Sequence, residues 1–397
     1  MQFTAFSQER KNINNIDFLN MEHAKKVLQF HKSFPMYQQT PLVDLKKLAE
    51  KLGIKGFYVK DESYRFGLNA FKVLGGSFAI GSYIAKKLGM DISELSYKKM
   101  ISDGIRNKLG DITFITATDG NHGRGVAWTA KQLKQKAIVY MPKGSTQERF
   151  ENIKSENAEV TITDLNYDDA VRLANDEAKK HGWVMVQDTS WEGYQDIPKW
   201  IIQGYGTMAF EAYKQLQEEP THIFIQAGVG ALAGAVTGFF ANAYKGSEKP
   251  IVTIVEPEEA NCIFRTAKAA DGRLHFVEGD MHTMMAGLAC GEPCNIGWKV
   301  LESYADFAVS CPDYISARGM RTFGAPIPGD VRIISGESGA APSGAVMEIL
   351  SNPECEEIRR KIGLTDDSVV LCFNTEGATD KENYYSIVWD GKEANCR

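Results

Sequence analysis

Residues 112–127 read ITFITATDGNHGRGVA, and this stretch decides the class of fold. A run of β-branched and aromatic residues passes into a turn with three glycines, and the residues after the turn favour a helix. A buried strand that leads through a glycine-rich turn into a helix is typical of α/β proteins. Because such a turn presents backbone N–H groups to an anion, the carboxylate of Asp119 inside it requires a chemical explanation.

Apolar strand-like runs alternate with helical segments along the rest of the chain. Their continuous apolar character is typical of strands that are buried on both faces, as in parallel sheets. The predicted strands cover 56–62, 112–116, 137–142, 159–164, 183–188, 222–228, 251–257 and 369–377. We therefore predict an α/β fold with open sheets covered by helices.

Polar residues and a glycine mark the ends of two of the predicted helices. Ser145 and Glu148 have the spacing of a capping box, which opens a helix. Asn166 is a suitable N-cap for the helix over 167–181, and Gly182 is a suitable stop for it.

The composition narrows the class of function. The 397 residues carry a net charge of −6, which argues against a nucleic-acid partner. No apolar stretch is long enough to cross a bilayer, and the polar N-terminal stretch lacks the apolar core of a signal peptide. The seven cysteines are an odd number, as expected for free thiols in a reducing compartment. We therefore expect a cytoplasmic protein with no membrane or nucleic-acid partner.

Cys290 and Cys294 have the spacing of half a metal site. No second pair of cysteines or histidines lies at a matching spacing, so we predict no metal. Whether two of the cysteines form a disulfide stays open at the level of sequence.

The stretch 59–79 reads VKDESYRFGLNAFKVLGGSFA and places Lys72 at the start of a helical run. The helix dipole disfavours a cation at that position. We therefore expect a lowered pKa and a nucleophilic amine, which suits a lysine that binds a carbonyl compound covalently. The alternative is a surface lysine with a solvated amine.

A second glycine-rich turn lies in QAGVGALAGAVTGFF, residues 226–240. A predicted strand ends near Gln226 and a helix begins near Leu232, so the turn can cradle a phosphate. The spacing of Gly228, Gly230 and Gly234 is off by one from the dinucleotide fingerprint, and no acidic residue completes a ribose site. This disfavours a nicotinamide dehydrogenase, although a tight packing turn remains an alternative.

The first glycine turn adds an amide and a set of backbone donors. Asn121 can bond a phenolic or carbonyl oxygen, and the N–H groups of 118–122 can clamp a carboxylate. His122 is interpreted as a residue that holds the loop.

In order and spacing, these stretches resemble the fold type II pyridoxal-phosphate enzymes, the group of threonine and serine dehydratases. The resemblance runs from TPLVDL at 40–45 almost to the end of the chain. It includes QGYGTMAFE at 203–211 and the motifs TMMAGLA, GESGA and NTEG, at 283–289, 336–340 and 374–377. It implies two open, twisted, mostly parallel sheets and a pyridoxal 5′-phosphate cofactor. It also implies a large cofactor-binding domain, 1–75 with 190–397, and a small domain, 76–189.

The resemblance implies a role for each matching residue. Lys72 would bind the cofactor and act as base at Cα, Asn121 would contact the ring oxygen, and Thr375 would face the pyridine nitrogen. Glu337 would lie close to the cofactor. Thr118 and Gly120 belong to the loop that would bind the substrate carboxylate. The residues that would hold the phosphate are Gly228, Val229, Gly230, Ala231 and Leu232.

Two acids distinguish the chain from the common dehydratase pattern. Asp119 stands where those enzymes usually have a small or hydroxyl residue, and Asp188 is the last residue of the strand predicted over 183–188. A carboxylate beside a bound amino acid favours a cationic substrate group. The alternative for Asp188 is a cap on the next helix.

The motifs RFGLNAFK, TDGNHGRGVAW, YMPKGS, QDTSWEGY and IISGESGA are similar to one branch of this family, the diaminopropionate ammonia-lyases. That similarity implies conversion of D- and L-2,3-diaminopropionate to pyruvate and two ammonia molecules by a homodimer. Lys72 would serve one face of Cα and Asp119 the other, with Asp188 near the β-amino group. The alternatives are a threonine or serine dehydratase and a non-catalytic cofactor-binding protein or amino-acid sensor.

Overall fold

The computed structural model describes residues 4–7, 15–118, 120–244 and 249–394. Strands and α-helices alternate through this part of the chain. The strands are β1 Thr4–Ser7, β2 Leu42–Asp44, β3 Gly56–Asp61, β4 Thr113–Ala117, β5 Lys136–Met141, β6 Glu159–Ile162, β7 Val184–Met185, β8 His222–Gln226, β9 Ile251–Pro257, β10 Phe307–Cys311 and β11 Val369–Asn374. The helices are α1 Met21–Lys32, α2 Lys46–Leu52, α3 Val73–Leu88, α4 Tyr97–Met100, α5 Asp103–Leu109, α6 Asn121–Gln132, α7 Gln147–Lys154, α8 Tyr167–His181, α9 Asp196–Gln215, α10 Ala231–Ala243, α11 Cys262–Ala269, α12 Asn295–Tyr304, α13 Asp313–Gly324, α14 Glu337–Ser351, α15 Glu356–Ile362 and α16 Lys381–Val388.

The strands form two sheets. The larger has the order β1-β10-β9-β8-β11-β3-β2 and the smaller has the order β6-β5-β4-β7. Among the described strands, only the edge pairs β1–β10 and β2–β3 are antiparallel, and every pair in the smaller sheet is parallel. The predicted α/β fold with two mostly parallel sheets is therefore confirmed. The division of the chain at 75/76 and 189/190 stays a prediction.

The structure corrects several strand predictions. The edge strands β1 and β2 and the inner strand β10 were not predicted; two of these have only three or four residues. The strand predicted over 183–188 is reduced to Val184–Met185. At Gln187 a side-chain contact takes the place of backbone pairing with β4: the Ala117 N–H donates to Gln187 Oε1 at 3.1 Å.

The predicted capping box at Ser145 is wrong. The N-cap of α7 is Thr146, whose hydroxyl accepts from the Arg149 N–H, whereas the Ser145 hydroxyl donates to the Pro142 carbonyl at 2.8 Å. The ends predicted for α8 are confirmed. Asn166 Oδ1 accepts from the Asp169 N–H at 2.9 Å, and Gly182 closes the helix with a φ of 69°.

Glycines allow the helices around Lys72 to approach closely. Gly75 and Gly76 lie inside α3, and a Cβ on Gly75 would come within 2.6 Å of the Tyr205 ring of α9. A Cβ on Gly125 of α6 would lie 2.8 Å from the Val73 Cα. The start of α3 is therefore held against both α6 and α9.

Six buried cysteines form no disulfide within the described residues: Cys262, Cys290, Cys294, Cys311, Cys355 and Cys372. Cys396 lies outside the described residues. Within the ranges that the structure describes, no helix is long and apolar enough to span a membrane. In those same ranges, no group of three or more His, Cys, Asp or Glu side chains is arranged to hold a metal ion.

Candidate active site

A cavity forms where the carboxyl ends of strands from both sheets meet the starts of helices, as is usual for sites in open α/β sheets. Most of the residues that the sequence predicted for a site line it together. They are Lys72, Thr118, Asn121, Asp188, Gly228, Val229, Gly230, Ala231, Leu232 and Thr375. The cavity wall also contains side chains to which the sequence gave no role in the chemistry, namely Phe71, His122, Tyr167, Gln226, Cys290, Ser338 and Glu376.

Three predicted residues stand apart from this set. Asp119 lies outside the described residues. Gly120 is not among the residues that line the cavity, and its N–H donates to the Thr118 hydroxyl at 3.0 Å. Glu337 begins α14 but faces a wider neighbouring cleft, where its carboxylate accepts from Asn383 Nδ2 at 2.5 Å and lies 3.8 Å from Arg149 Nη2. The structure does not bring the Glu337 carboxylate into the cavity.

Lys72 is the N-cap residue of α3, as the sequence predicted, and its amine makes an ion pair with Asp188 Oδ2. Burial lowers the pKa of the Lys72 amine, but the adjacent Asp188 carboxylate outweighs burial and holds that pKa above its usual range. The expectation of a lowered pKa is therefore wrong in this arrangement. The partner that reverses the shift is 116 residues away in sequence.

Asp188 is 2% exposed and has polar neighbours on both oxygens. Oδ2 faces the Lys72 amine, and Oδ1 accepts from the Tyr167 hydroxyl at 3.3 Å. Burial raises the pKa of Asp188, but Lys72 and then His122 outweigh it and hold the pKa well below its usual range. The helix after Asp188 begins at Asp196 with Gln195 at its N-cap, so the alternative that Asp188 caps it is wrong.

Glu376 is a buried carboxylate in the cavity that the sequence interpretation missed. Its Oε2 accepts from Asn121 Nδ2 at 2.5 Å, and its Oε1 accepts from the Ser338 N–H at 2.9 Å. This fixes the Asn121 amide at the start of α6. The signal was available, because Glu376 directly follows Thr375 in the motif NTEG.

The second glycine turn leads from β8 into α10. Gly230 is the N-cap residue with a φ of 90°, a left-handed conformation that favours glycine. A Cβ on Gly228 would lie 3.2 Å from both Cys290 Sγ and the Gly287 carbonyl, so a side chain there would fill the turn. The N–H groups at the start of α10 lack helical acceptors, which makes the turn a site for an anion.

Gln226 ends β8 and joins the glycine turn to Thr375. Its Nε2 donates to the Thr375 hydroxyl at 2.9 Å and to the Ser338 and Phe373 carbonyls at 3.0 and 3.1 Å. Its Oε1 is buried and has no hydrogen-bond partner among the described residues. A buried polar atom of this kind on a cavity wall is typical of a site for a polar ligand.

Residues 34–371 match the model of the family of pyridoxal-phosphate dependent enzymes, and the chain belongs to that family. Its cofactor is pyridoxal 5′-phosphate. The chain is 50% identical to the diaminopropionate ammonia-lyase of Salmonella typhimurium over 384 residues, which cover 96% of this chain and 95% of that protein. Within the family, it therefore belongs with the diaminopropionate ammonia-lyases.

Two crystal structures of the Escherichia coli diaminopropionate ammonia lyase show the same fold over 99% of this chain and 98% of theirs. One is a complex with D-serine, with a TM-score of 0.92 and 45% identity. The other contains an aminoacrylate-PLP azomethine reaction intermediate, with a TM-score of 0.91 and 44% identity.

The cavity fits the pyridoxal-phosphate group. It combines an anion-binding glycine turn, a partly buried lysine amine and buried polar groups at Thr375 and Gln226. It provides no arginine or second lysine for the phosphate among the described lining residues, so the backbone of the turn has to carry that charge.

Proposed function

We propose that this enzyme eliminates ammonia from D- and L-2,3-diaminopropionate, giving pyruvate and two ammonia molecules with the uptake of one water. The observation that carries the proposal is the buried carboxylate of Asp188 against the amine of Lys72. This carboxylate already holds one ammonium group and is suited to hold the β-ammonium group of the substrate.

We assign the cofactor contacts to the residues that line the cavity. The turn from Gly228 to Leu232 would hold the phosphate, Lys72 the carbonyl carbon, Asn121 the ring oxygen and Thr375 the ring nitrogen. When bound, the cofactor acts as an electron sink for the carbanion at Cα. Glu337 is left out of this assignment, because its carboxylate faces Asn383 and Arg149 in the neighbouring cleft.

Substrate orientation follows from charge. Thr118 and the N–H group of Asn121, at the start of α6, would bind the substrate carboxylate. Asp188 would then bind the β-amino group and keep it protonated, which matters because neutral ammonia is the better leaving group.

Removal of the Cα proton needs a base on the correct face. Lys72 serves one face, and we propose that Asp119, between Thr118 and Gly120 in the sequence, serves the other. Two bases explain how one cavity can accept both enantiomers. Asp119 also adds a negative charge, which favours a substrate with two ammonium groups.

The first test measures pyruvate release from D- and L-2,3-diaminopropionate, with L-serine and L-threonine assayed beside them. We expect both diaminopropionate isomers to react faster than either hydroxy amino acid, because only they carry a β-ammonium group. Faster release from serine or threonine would make the enzyme a dehydratase. A stable cofactor spectrum without turnover of any of the four would make it a non-catalytic cofactor-binding protein.

We further propose that the enzyme is a cytoplasmic homodimer. The lack of a disulfide among the six buried cysteines of the described residues supports a reducing compartment, and the family resemblance supports the dimer.

A further inference from the structure

Tyr167 is the first residue of α8 and, with Cys290, one of two described residues that line both the inner cavity and the wide cleft beside it. The structure places the phenol at the passage between the cleft and the cavity, against the carboxylate of Asp188.

The neighbouring Gln187 amide has only one orientation that satisfies its surroundings. The backbone N–H of Ala117 can only donate, and it lies 3.1 Å from the atom assigned as Gln187 Oε1. The Thr116 hydroxyl donates to the same oxygen at 2.8 Å. The other end of the amide is therefore the NH₂ group, and it lies 2.9 Å from the Tyr167 hydroxyl oxygen.

This orientation sets the direction of the phenol. Because Gln187 Nε2 can only donate, the Tyr167 oxygen accepts there and its own proton points elsewhere. The Tyr167 hydroxyl donates to Asp188 Oδ1 at 3.3 Å. The backbone of β4 thus fixes Gln187, Gln187 fixes Tyr167, and Tyr167 contacts the Asp188 oxygen that Lys72 does not occupy.

We propose that Tyr167 is a positioning residue that keeps Asp188 ionised and aimed at the β-ammonium group of the substrate. This inference rests on the proposed function. A neutral Lys72 amine, which the proposed removal of the Cα proton requires, no longer balances the charge of Asp188, and the donated phenol proton then stabilises the carboxylate.

His122 also lowers the pKa of Asp188, but it does so through its charge, whereas Tyr167 donates a hydrogen bond to Oδ1. Within the described part of the chain, the titratable groups that face Asp188 from neighbouring elements are Lys72, His122, Tyr167, Tyr194, Tyr205 and Cys294. Burial raises the pKa values of Tyr194, Tyr205 and Cys294, so these groups do not titrate in the acid range. His122 Nε2 is engaged with the Val186 carbonyl at 2.8 Å.

The test compares the wild-type holoenzyme with Tyr167→Phe and Gln187→Glu on diaminopropionate and L-serine across pH. Tyr167→Phe removes the proton donor, and Gln187→Glu adds an acceptor that draws the same proton away from Asp188. Each change raises the pKa of Asp188, so the acid limb of kcat/KM for diaminopropionate moves to higher pH, by about half a unit or more. KM for diaminopropionate rises about tenfold, as expected for a lost hydrogen bond to a charged group.

Serine has no β-ammonium group, so its kinetics change less than about twofold. Tyr140→Phe, in β5 of the smaller sheet, is the matched control and leaves the pH profiles for diaminopropionate and serine unchanged. Equal losses on diaminopropionate and serine without a shift of the acid limb would overturn the proposal and make Tyr167 a packing residue. A wild-type enzyme that does not turn over diaminopropionate would instead overturn the proposed function.

Discussion

At the scale of the residue, the ion pair between the Lys72 amine and the Asp188 carboxylate sets the charge balance of the site. Lys72 and Asp188 neutralise each other in a cavity whose described lining also contains His122 and Glu376. The ion pair shows that Asp188 is shaped to accept an ammonium group. It also means that the amine must be separated from Asp188 before the carboxylate can serve the substrate.

Replacing the two aspartates separately tests their different roles. Asp119→Asn should lower kcat/KM for the D-isomer about 100-fold or more, with a much smaller effect on the L-isomer, because Lys72 still serves the opposite face. Asp188→Asn should lower kcat/KM for the D- and the L-isomer alike, because both carry the β-ammonium group. Asp196→Asn, which breaks an exposed pair with Lys86, is the control and should change neither. Equal losses of kcat/KM for the D- and L-isomers in Asp119→Asn would contradict the proposal of two bases. Unchanged activity of Asp188→Asn on both isomers would contradict the proposal that Asp188 binds the β-ammonium group.

At the scale of the element, close helix crossings place the reactive groups. Helix α6 begins with Asn121 and packs against the first residue of α3, which directly follows Lys72. Gly125 permits this contact, since the backbone of Val73 occupies the place of a side chain. Gly125 therefore serves helix packing, apart from the role proposed for this loop in binding the substrate carboxylate.

Gly125→Ala should therefore be destabilising, although alanine is the better helix former. Its Cβ would lie 2.8 and 2.9 Å from the Cα and N atoms of Val73, so the start of α3 has to move. We expect a loss of about 1–3 kcal/mol in the free energy of unfolding, with less cofactor absorbance per chain. Gly104→Ala in α5, where nothing lies within 4 Å, is the control and should be neutral or stabilising by up to about 1 kcal/mol. A stable Gly125→Ala enzyme with full cofactor content would contradict this interpretation.

At the scale of the whole molecule, a buried ionic cluster joins distant parts of the chain. Glu211 of α9 accepts from Lys60 of β3 at 2.7 Å and from Arg65 Nη2 at 2.8 Å, and all three side chains are almost completely buried. Glu62 adds the second carboxylate at 2.8 Å from Arg65 Nε. Two cations and two anions therefore balance beneath the segment that leads to Lys72.

Glu211→Gln should leave Lys60 and Arg65 with only one anion and lower the free energy of unfolding by roughly 3–5 kcal/mol near neutral pH. Glu218→Gln, which breaks an exposed pair with Lys55, is the matched control and should cost about 1 kcal/mol or less. Chemical denaturation of both variants measures the difference. A loss in Glu211→Gln no larger than in the control would mean that the cluster adds no stability.

The pH dependence of stability in the wild type and in Glu211→Gln gives a further test. Burial raises the pKa of Glu211, but Arg65 and Lys60 outweigh it and hold the pKa well below its usual value of 4.5. The contribution of Glu211 is therefore complete above that usual value and is lost as the pH falls towards its folded-state pKa. The stability difference between wild type and Glu211→Gln should shrink as the pH is lowered from 5 to about 3.

The sequence by itself determined the α/β class, the order of the motifs and most of the residues that line the cavity. This was possible because strand and helix patterns, glycine turns and the residue types needed for chemistry are local properties of the chain. Lys72 at a helix start and the turn from Gly228 to Leu232 are both of this kind.

Only the tertiary structure decided how these residues act on one another. The sign of the Lys72 pKa shift depends on Asp188, 116 residues away, and the Asn121 amide is held by Glu376, 255 residues away. Tyr167 has the sequence context of a solvated helix start, yet Gln187 and Asp188 hold its hydroxyl. Pairings across such distances leave no periodic signal, because they arise only when the carboxyl ends of the strands meet at one cavity.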